Sequence, residues 1–476
     1  MGYWLGPILL ALVLYWPGLM AWFQKDDFVW LKLLTLARDG KGFQWALFAP
    51  MAQGTVRTLS ERIFFMSFSA MFGVNPLPFH CWVFLTFALS LVVLGSLCAK
   101  LTGSRAAGFW AMILWTANSA LGVVLSWTAI YYEILCGLFF LTGLWLLVRH
   151  VETGRLSFYV MQWITFLLGF AVLELNVVYP ALAAAYALCC ARRILGRVLP
   201  MFAVAAAYTL WHMALAPLQT TGPYKMYWDT SVIPTLWTYW KWALGPNRLI
   251  FLGVYPSAWR SLLALLLMLG MFGFLICKIY RREWLGIFFA AWFVIVLAPL
   301  LPLRDHVDGS YLTVPLIGLA MWGGWGAVCG WRAGRLTRVA AVALLAIYLC
   351  VSLPVAHVVA VSFYERSRQI RNFVLGVVAH ARGRKDNVVL LKEVDAEMFW
   401  SAVVGRPFPL FGLFNVYLLP EEALRIVPQA QLADYQSFFA DKATVSEALG
   451  KGRAIVLDVS GGNVRDVTSD FAPTHK

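Results

Sequence analysis

Charge is scarce in this chain: Asp, Glu, Lys and Arg make up 13% of its 476 residues, against 61% hydrophobic side chains. That balance excludes an ordinary soluble domain and a disordered chain, and points to a polytopic membrane protein. Cysteine is present but unorganised. All eight (81, 98, 136, 189, 190, 277, 329, 350) lie in apolar segments without metal-ligand spacing, so they read as small hydrophobes in helices. The long external stretches contain none, which excludes a disulfide framework there. The sequence also lacks an Asn-x-Ser/Thr sequon, which favours a bacterial membrane over that of the endoplasmic reticulum. Internal repeats, low-complexity tracts and a Gly-rich phosphate loop before a helix are all missing. The first apolar segment has no basic flank and no small-residue cleavage site, and is read as a retained span.

What is present is a series of apolar runs long enough for the ~20 residues that cross a hydrocarbon core. Eleven spans are expected, at 2–22, 79–99, 106–125, 129–148, 157–173, 177–191, 198–216, 258–279, 284–303, 311–331 and 338–360. Lys and Arg in the short loops set the orientation. With the N-terminus inside, the inner loops hold Lys100, Arg105, Arg149, Arg155, Arg192, Arg193, Arg197, Lys278, Arg281, Arg282, Arg332, Arg335 and Arg338, against Glu152 and Glu283 alone. Reading 157–191 as one span would invert every later loop, so it is kept as a hairpin with Glu174 and Asn176 near its outer tip. The net charge of +14 is then a topological signal and not a nucleic-acid footprint.

The expected fold is therefore an all-α polytopic membrane domain over 1–364 with a small extramembrane α/β domain over 365–476. In the latter, Val388–Leu391, Val416–Leu419 and Ala454–Val459 read as strands, with Asp395–Val404 and Pro420–Arg425 helical between them. Two further stretches are external. Region 24–78 holds an interfacial helix from Phe28 to Arg38, ended by Gly40 and Gly42, and a second helix from Thr58 to Phe72. Region 217–257 is rich in Trp and Tyr, which suits an aromatic belt at the interface or a sugar- or lipid-gripping loop.

On this topology the outer face collects Asp26, Asp27, Arg57, His80, Tyr131, Tyr132, Glu133, Glu174, Arg248, Arg260, Arg304, Asp305, His306 and Tyr311. Ionisable groups at span ends are costly unless they face protein or water, so the gathering implies a wet cavity. Adjacent carboxylates such as Asp26-Asp27 titrate as a coupled pair, with one pKa raised. A carboxylate can take the proton of an attacking hydroxyl, and cations can stabilise a departing phosphate. Plainer readings stay open: a solvated acidic loop, a helix-packing Glu174, a snorkelling Arg57, and a solvated turn at 304–306. One loop with Asp305, His306 and Asp308 is too little for a metal site, and no metal ligand is assigned.

Several segments, in order, resemble the GT-C glycosyltransferases that use polyprenyl-phosphate sugars. They are Asp26-Asp27-Phe28 in the first external loop, Arg57-Thr-Leu-Ser, Phe72-Gly-Val-Asn-Pro-Leu-Pro-Phe-His80, Leu173-Glu174 with Pro180, and Pro302 through Tyr311-Leu-Thr-Val-Pro-Leu-Ile-Gly318. They are similar to segments of membrane protein O-mannosyltransferases and of aminoarabinose-transferase-like families, and cover about the first 320 residues. The chain departs from that pattern at Leu173, where those proteins carry Lys, at Ser310, where they carry Arg, and in having no tetratricopeptide repeats. The resemblance implies Asp26 as catalytic base with Asp27 beside it, and Arg57 and Glu174 lining the same cavity. It implies that Arg57 and a cation among Lys225, Arg248, Arg260 and Arg304 hold the lipid phosphate, with Arg304 or His306 in place of the Arg that Ser310 replaces and Tyr311 nearby. It also implies a polyprenyl-phosphate-linked donor, a glycan, lipid or protein acceptor, and transfer at the periplasmic face of the inner membrane. No cofactor is required, with a divalent metal left open. The rival readings are a lipid or polysaccharide transporter, which should show midplane charges or a repeat between halves, and a non-catalytic assembly protein with a GT-C-like body.

Overall fold

A computed structural model describes residues 2–51, 54–245, 257–384, 386–428, 434–460 and 463–471. Each of the eleven expected spans is helical. The helices are Gly2–Leu19, Pro76–Thr102, Arg105–Thr116 continued by Ala120–Val124, Tyr131–Thr153, Leu156–Gly169, Tyr179–Cys190, Leu195–Leu215, Ser257–Tyr280, Leu285–Leu297, Leu316–Ala333 and Arg335–His380. Among the described residues, five helices are by themselves long and apolar enough to cross a membrane: Pro76–Thr102, Thr128–Thr153, Arg192–Leu215, Ser261–Tyr280 and Arg335–His380. The others are shorter. The hairpin over 157–191 is broken where expected, by an extended Leu173 and a 3-10 turn at Glu174–Val178.

The described residues group into two compact units. The larger comprises Met1–Leu19, Leu47–Ile63 and Phe79–Val361. Its helices are tied by buried polar anchors. Tyr15 donates its hydroxyl to the carbonyls of Thr116 (2.7 Å) and Asn118 (3.0 Å). The indoles of Trp115 and Trp292 donate to the carbonyls of Thr313 (2.9 Å) and Val314 (3.0 Å). These two bonds satisfy backbone groups that a buried connection would otherwise leave bare, and they fix the segment that carries Tyr311. Close packing depends on glycine at one crossing: a Cβ on Gly108 would lie 2.3 Å from the carbonyl oxygen of Gly95.

The smaller unit comprises Met20–Ala46, Phe64–Pro78 and Ser362–Lys476. The C-terminal region thus packs with two pieces of the first external stretch, whereas the sequence alone sets it apart at 365. Four strands form its sheet: β1 (Val388–Lys392), β2 (Val416–Leu418), β3 (Ala454–Asp458) and β4 (Arg465–Asp466), in the order β2-β1-β3-β4. β1 pairs in parallel with β2 and β3, in the register Val389↔Val416 and Val389↔Ile455, and β4 closes the edge antiparallel. Parallel strands with two covered faces read as continuous apolar runs, which is why Val388-Val-Leu-Leu391 and Ala454-Ile-Val-Leu457 are recognisable. Leu390, Val456, Leu419 and Ala448 form the core on one face. The expected helices are found at Ala396–Ser401, capped by the Asp395 carboxylate on the Met398 N–H, and as a 3-10 turn at Pro420–Leu424.

Candidate functional site

In the smaller unit the chain turns sharply before the acidic pair. Lys25 adopts a left-handed backbone (φ 52°) and donates its N–H to the Ser401 carbonyl at 2.6 Å. Asp27 is fully buried, and its Oδ2 accepts the Gln24 N–H at 2.9 Å, which locks the turn. Asp26 precedes the short helix Asp27–Leu31 and spends no side-chain bond on capping it. Its residue is exposed to solvent. The surrounding protein nonetheless desolvates the carboxyl enough to raise its pKa, against the opposing pull of Lys25. The two carboxylates therefore differ: Asp27 builds the turn and Asp26 is presented by it. Behind them Phe28 packs against Trp22 with ring centroids 5.5 Å apart. Lys32 donates to the Gly405 carbonyl at 2.8 Å, its pKa pushed down to about 8 by burial and then by Arg406.

In the larger unit Arg57 is the hub of a carboxylate cluster. Its Nε donates to Glu174 Oε2 at 2.8 Å and its Nη1 to Glu61 Oε1 at 2.9 Å, while the guanidinium lies 4.0 Å over the Tyr132 ring. Glu61 enters because the segment Thr58–Ile63 is wound as a π-helix, with Arg57 and Glu61 one turn apart. Burial acts to lower the Arg57 pKa, but Glu174 and Glu61 together hold it well above the usual value. Glu61 is itself raised to about 7, by burial first, partly offset by Arg57 and reinforced by Glu174. Glu133 is buried alongside, and among the described residues Glu61 Oε2, Glu133 Oε2 and Glu174 Oε1 have no hydrogen-bond partner. Three carboxylates thus gather around the bonded Arg57, with Arg62 also close enough to interact electrostatically with Glu61 and Glu174.

The cations available to an anionic ligand lie elsewhere in the same unit. Arg304 sits 3.6 Å over the Tyr227 ring, and Lys225 Nζ lies 4.8 Å from the same ring. The Tyr227 N–H donates to the Pro302 carbonyl at 2.9 Å, which holds this strap against the Pro302–Tyr311 segment. The carboxylate contacts of Arg304, to Asp229 and Asp305, are both loose at 3.6 Å. His306 packs tilted against Tyr224 (ring centroids 4.4 Å) and edge-on to Tyr311 (5.9 Å), its pKa lowered by burial against the pull of Asp308. Asp308 is committed to the turn, accepting from the Ser310 N–H at 2.8 Å and the Ser310 hydroxyl at 2.6 Å.

The structure thus brings Arg57 and Glu174 together and adds Glu61 and Tyr227, while Asp308, named from the sequence only in a candidate metal loop, is taken up by its turn. An i,i+4 Arg-Glu pair is legible in Arg57-Thr-Leu-Ser-Glu61, and it was the available signal for Glu61. The aromatic stretch divides: Trp228 is exposed, but Tyr239 and Trp240 are buried, with Trp240 4.9 Å from Phe293. An interfacial belt describes only part of it. Arg248 lies outside the described residues, and for Arg260 only the backbone, in the helix Ser257–Tyr280, is described. Among the described residues no group of three or more His, Cys, Asp and Glu is arranged to hold a metal ion.

These apolar helices and the small C-terminal sheet share the fold of solved proteins of the GT-C class. The chain is an integral membrane protein of that fold class. It aligns over 96% of its length with 69% of the oligosaccharyltransferase of Archaeoglobus fulgidus in the apo form, at a TM-score of 0.54 and 9% identity. With ArnT from Cupriavidus metallidurans in the apo state, 96% of this chain matches 93% of that one, at a TM-score of 0.50 and 11% identity. At such identities the likeness is one of fold. No protein-family model and no curated protein matches the sequence.

Proposed function

We propose that this protein is a glycosyltransferase that moves one sugar from a polyprenyl-phosphate donor to an acceptor hydroxyl. The observation that carries the reading is Asp26: an exposed carboxylate, held by a locked turn, with its pKa raised, on a GT-C fold. A general base works best when its pKa moves toward the operating pH. In the proposed step the acceptor hydroxyl gives its proton to Asp26 as its oxygen attacks the anomeric carbon. The bond from that carbon to the phosphate oxygen breaks in the same displacement, with inversion, and polyprenyl phosphate leaves. Asp27 acts through Asp26, as a positioning residue.

The charge that develops on the departing phosphate needs cations not already spent. Within the larger unit, the loose carboxylate contacts of Arg304 and the seat of Arg304 and Lys225 against Tyr227 support these two for that role. Arg57 is less suited to the task, because Glu61 and Glu174 already occupy it. The sequence departures at Leu173 and Ser310 fit this shift of the phosphate contact toward Arg304. The excess of inner-loop cations supports transfer on the opposite, periplasmic face of a bacterial inner membrane. The acceptor, whether glycan, lipid or protein, is identified only by its hydroxyl.

The test is incubation of purified protein with a panel of polyprenyl-phosphate sugars, reading free polyprenyl phosphate. Release with at least one donor, lost in Asp26→Asn, supports the reading. Absence of release with every donor and acceptor in the panel would move it toward the non-catalytic alternative.

A further inference from the structure

A cavity of about 650 Å³ lies within the larger unit, bordered by the helices Ser257–Tyr280 and Leu316–Ala333 and by the first part of Arg335–His380. Its walls are apolar, with Trp322 and Leu344 among them, and its cations Lys278, Arg281 and Arg332 sit where two of these helices end. Lys278 is already neutralised, donating to Glu283 Oε2 at 2.6 Å and lying 4.3 Å over the Trp325 ring. Arg281 and Arg332 are exposed and form no ion pair among the described residues. Two uncompensated guanidinium groups at the mouth of an apolar groove call for an anion attached to a hydrocarbon chain.

The dimensions narrow that choice. Thr337 and Tyr348, both on the wall, are ~16 Å apart along their helix, and Leu267 and Arg281 ~21 Å, at 1.5 Å rise per residue. That is roughly the depth of one leaflet in a ~30 Å hydrocarbon core. A long isoprenoid would exceed it. The lining is also open at Gly273, where an added Cβ would meet no atom within 4 Å.

We infer that this groove is a binding site for an anionic membrane phospholipid, with an acyl chain along Gly273 and the phosphate between Arg281 and Arg332. Basic pockets between membrane helices recognise lipid phosphates in this way. The positive-inside orientation puts the site in the cytoplasmic leaflet, and it does not depend on the sugar-transfer reading.

The experiment is native mass spectrometry of the purified full-length protein, titrated with phosphatidylglycerol and phosphatidylcholine of identical acyl chains and, separately, with a polyprenyl phosphate. Wild type should favour phosphatidylglycerol by about tenfold, the effect of one good charge-assisted contact. Arg281→Gln with Arg332→Gln should erase that preference while leaving phosphatidylcholine binding unchanged. Gly273→Leu, whose Cβ meets no atom within 4 Å, should lower occupancy by both phospholipids. Should the double variant fail to fold, a salt titration of wild type serves instead, since the preference must weaken as salt rises. Equal binding of the two headgroups, a preference that survives both substitutions or high salt, or displacement of phosphatidylglycerol by equimolar polyprenyl phosphate would each overturn the assignment.

Discussion

Replacing Arg57 by alanine removes the single guanidinium that joins Glu174 and Glu61, at 2.8 and 2.9 Å. The three side chains are 16%, 20% and 3% exposed, so solvent screens the charges weakly. Breaking such a buried pair by deleting one partner costs ~3–5 kcal/mol, because the other charge stays behind. Here two carboxylates stay behind, with Glu133 buried beside them. Part of the cost is recovered when Glu61 takes up a proton. Its pKa already stands at about 7 with Arg57 present, and it rises further without the cation. The sign follows from linkage: a carboxyl raised in the folded state is stabilising when protonated, and that stability is lost as pH rises through the folded pKa. The Arg57→Ala defect should therefore be largest at about pH 8 and shrink toward pH 5. Glu61→Gln should rescue part of it, with a coupling of ~1–3 kcal/mol. Thermal unfolding of the purified protein in detergent, followed by tryptophan fluorescence across pH, gives all four corners of the cycle. An Arg57→Ala protein with wild-type stability but weakened donor use would refute the reasoning and return Arg57 to the phosphate.

Three other outcomes follow from the same geometry. Arg304→Ala and Lys225→Ala should each raise KM for the lipid donor, and at least one should lower kcat/KM by about tenfold, since ~1.4 kcal/mol is a factor of ten; unchanged kinetics in both would leave Tyr227's cations without a role in the donor site. The acid limb of the kcat/KM profile should lie above the ordinary aspartate range, because desolvation by the surrounding protein raises the Asp26 pKa and only its ionised form accepts a proton; activity persisting unchanged down to pH 4 would contradict this. In a cysteine-free background, Ser460→Cys should react with an impermeant maleimide added to intact spheroplasts, and labelling only after lysis would invert the proposed orientation.

Much of the fold was legible because apolar run length and loop charge are strong signals in a chain with so few charged residues. The strands at Val388, Val416 and Ala454 stood out as short β-branched runs in polar surroundings. The end of the last long helix did not. Composition changes near residue 365, yet the helix continues to His380, carrying Glu365 paired with Arg368 at 2.7 Å and Arg366 with Glu397 at 2.7 Å. The change marks new surroundings for the helix and not its end. At the candidate site, Asp26 and Asp27 are equivalent in sequence, and only the backbone separates them: the left-handed Lys25 and the Gln24 N–H send one carboxylate inward. Likewise the sequence shows Arg57 as a cation at a membrane exit. That it is already spent depends on Glu174, which arrives from a hairpin more than a hundred residues away.

The most direct test compares Asp26→Asn with Asp27→Asn in the same transfer assay, alongside the unfolding temperature of each. Asn keeps the size of Asp but cannot take the acceptor's proton at neutral pH. Asp26→Asn should lose ~10²–10⁴ in rate, the usual worth of a positioned general base, with an unfolding temperature close to wild type. Asp27→Asn should unfold at a lower temperature, because it weakens the charge-assisted bond to the Gln24 N–H, and should lose less activity. An Asp26→Asn protein that transfers sugar at the wild-type rate would contradict the account.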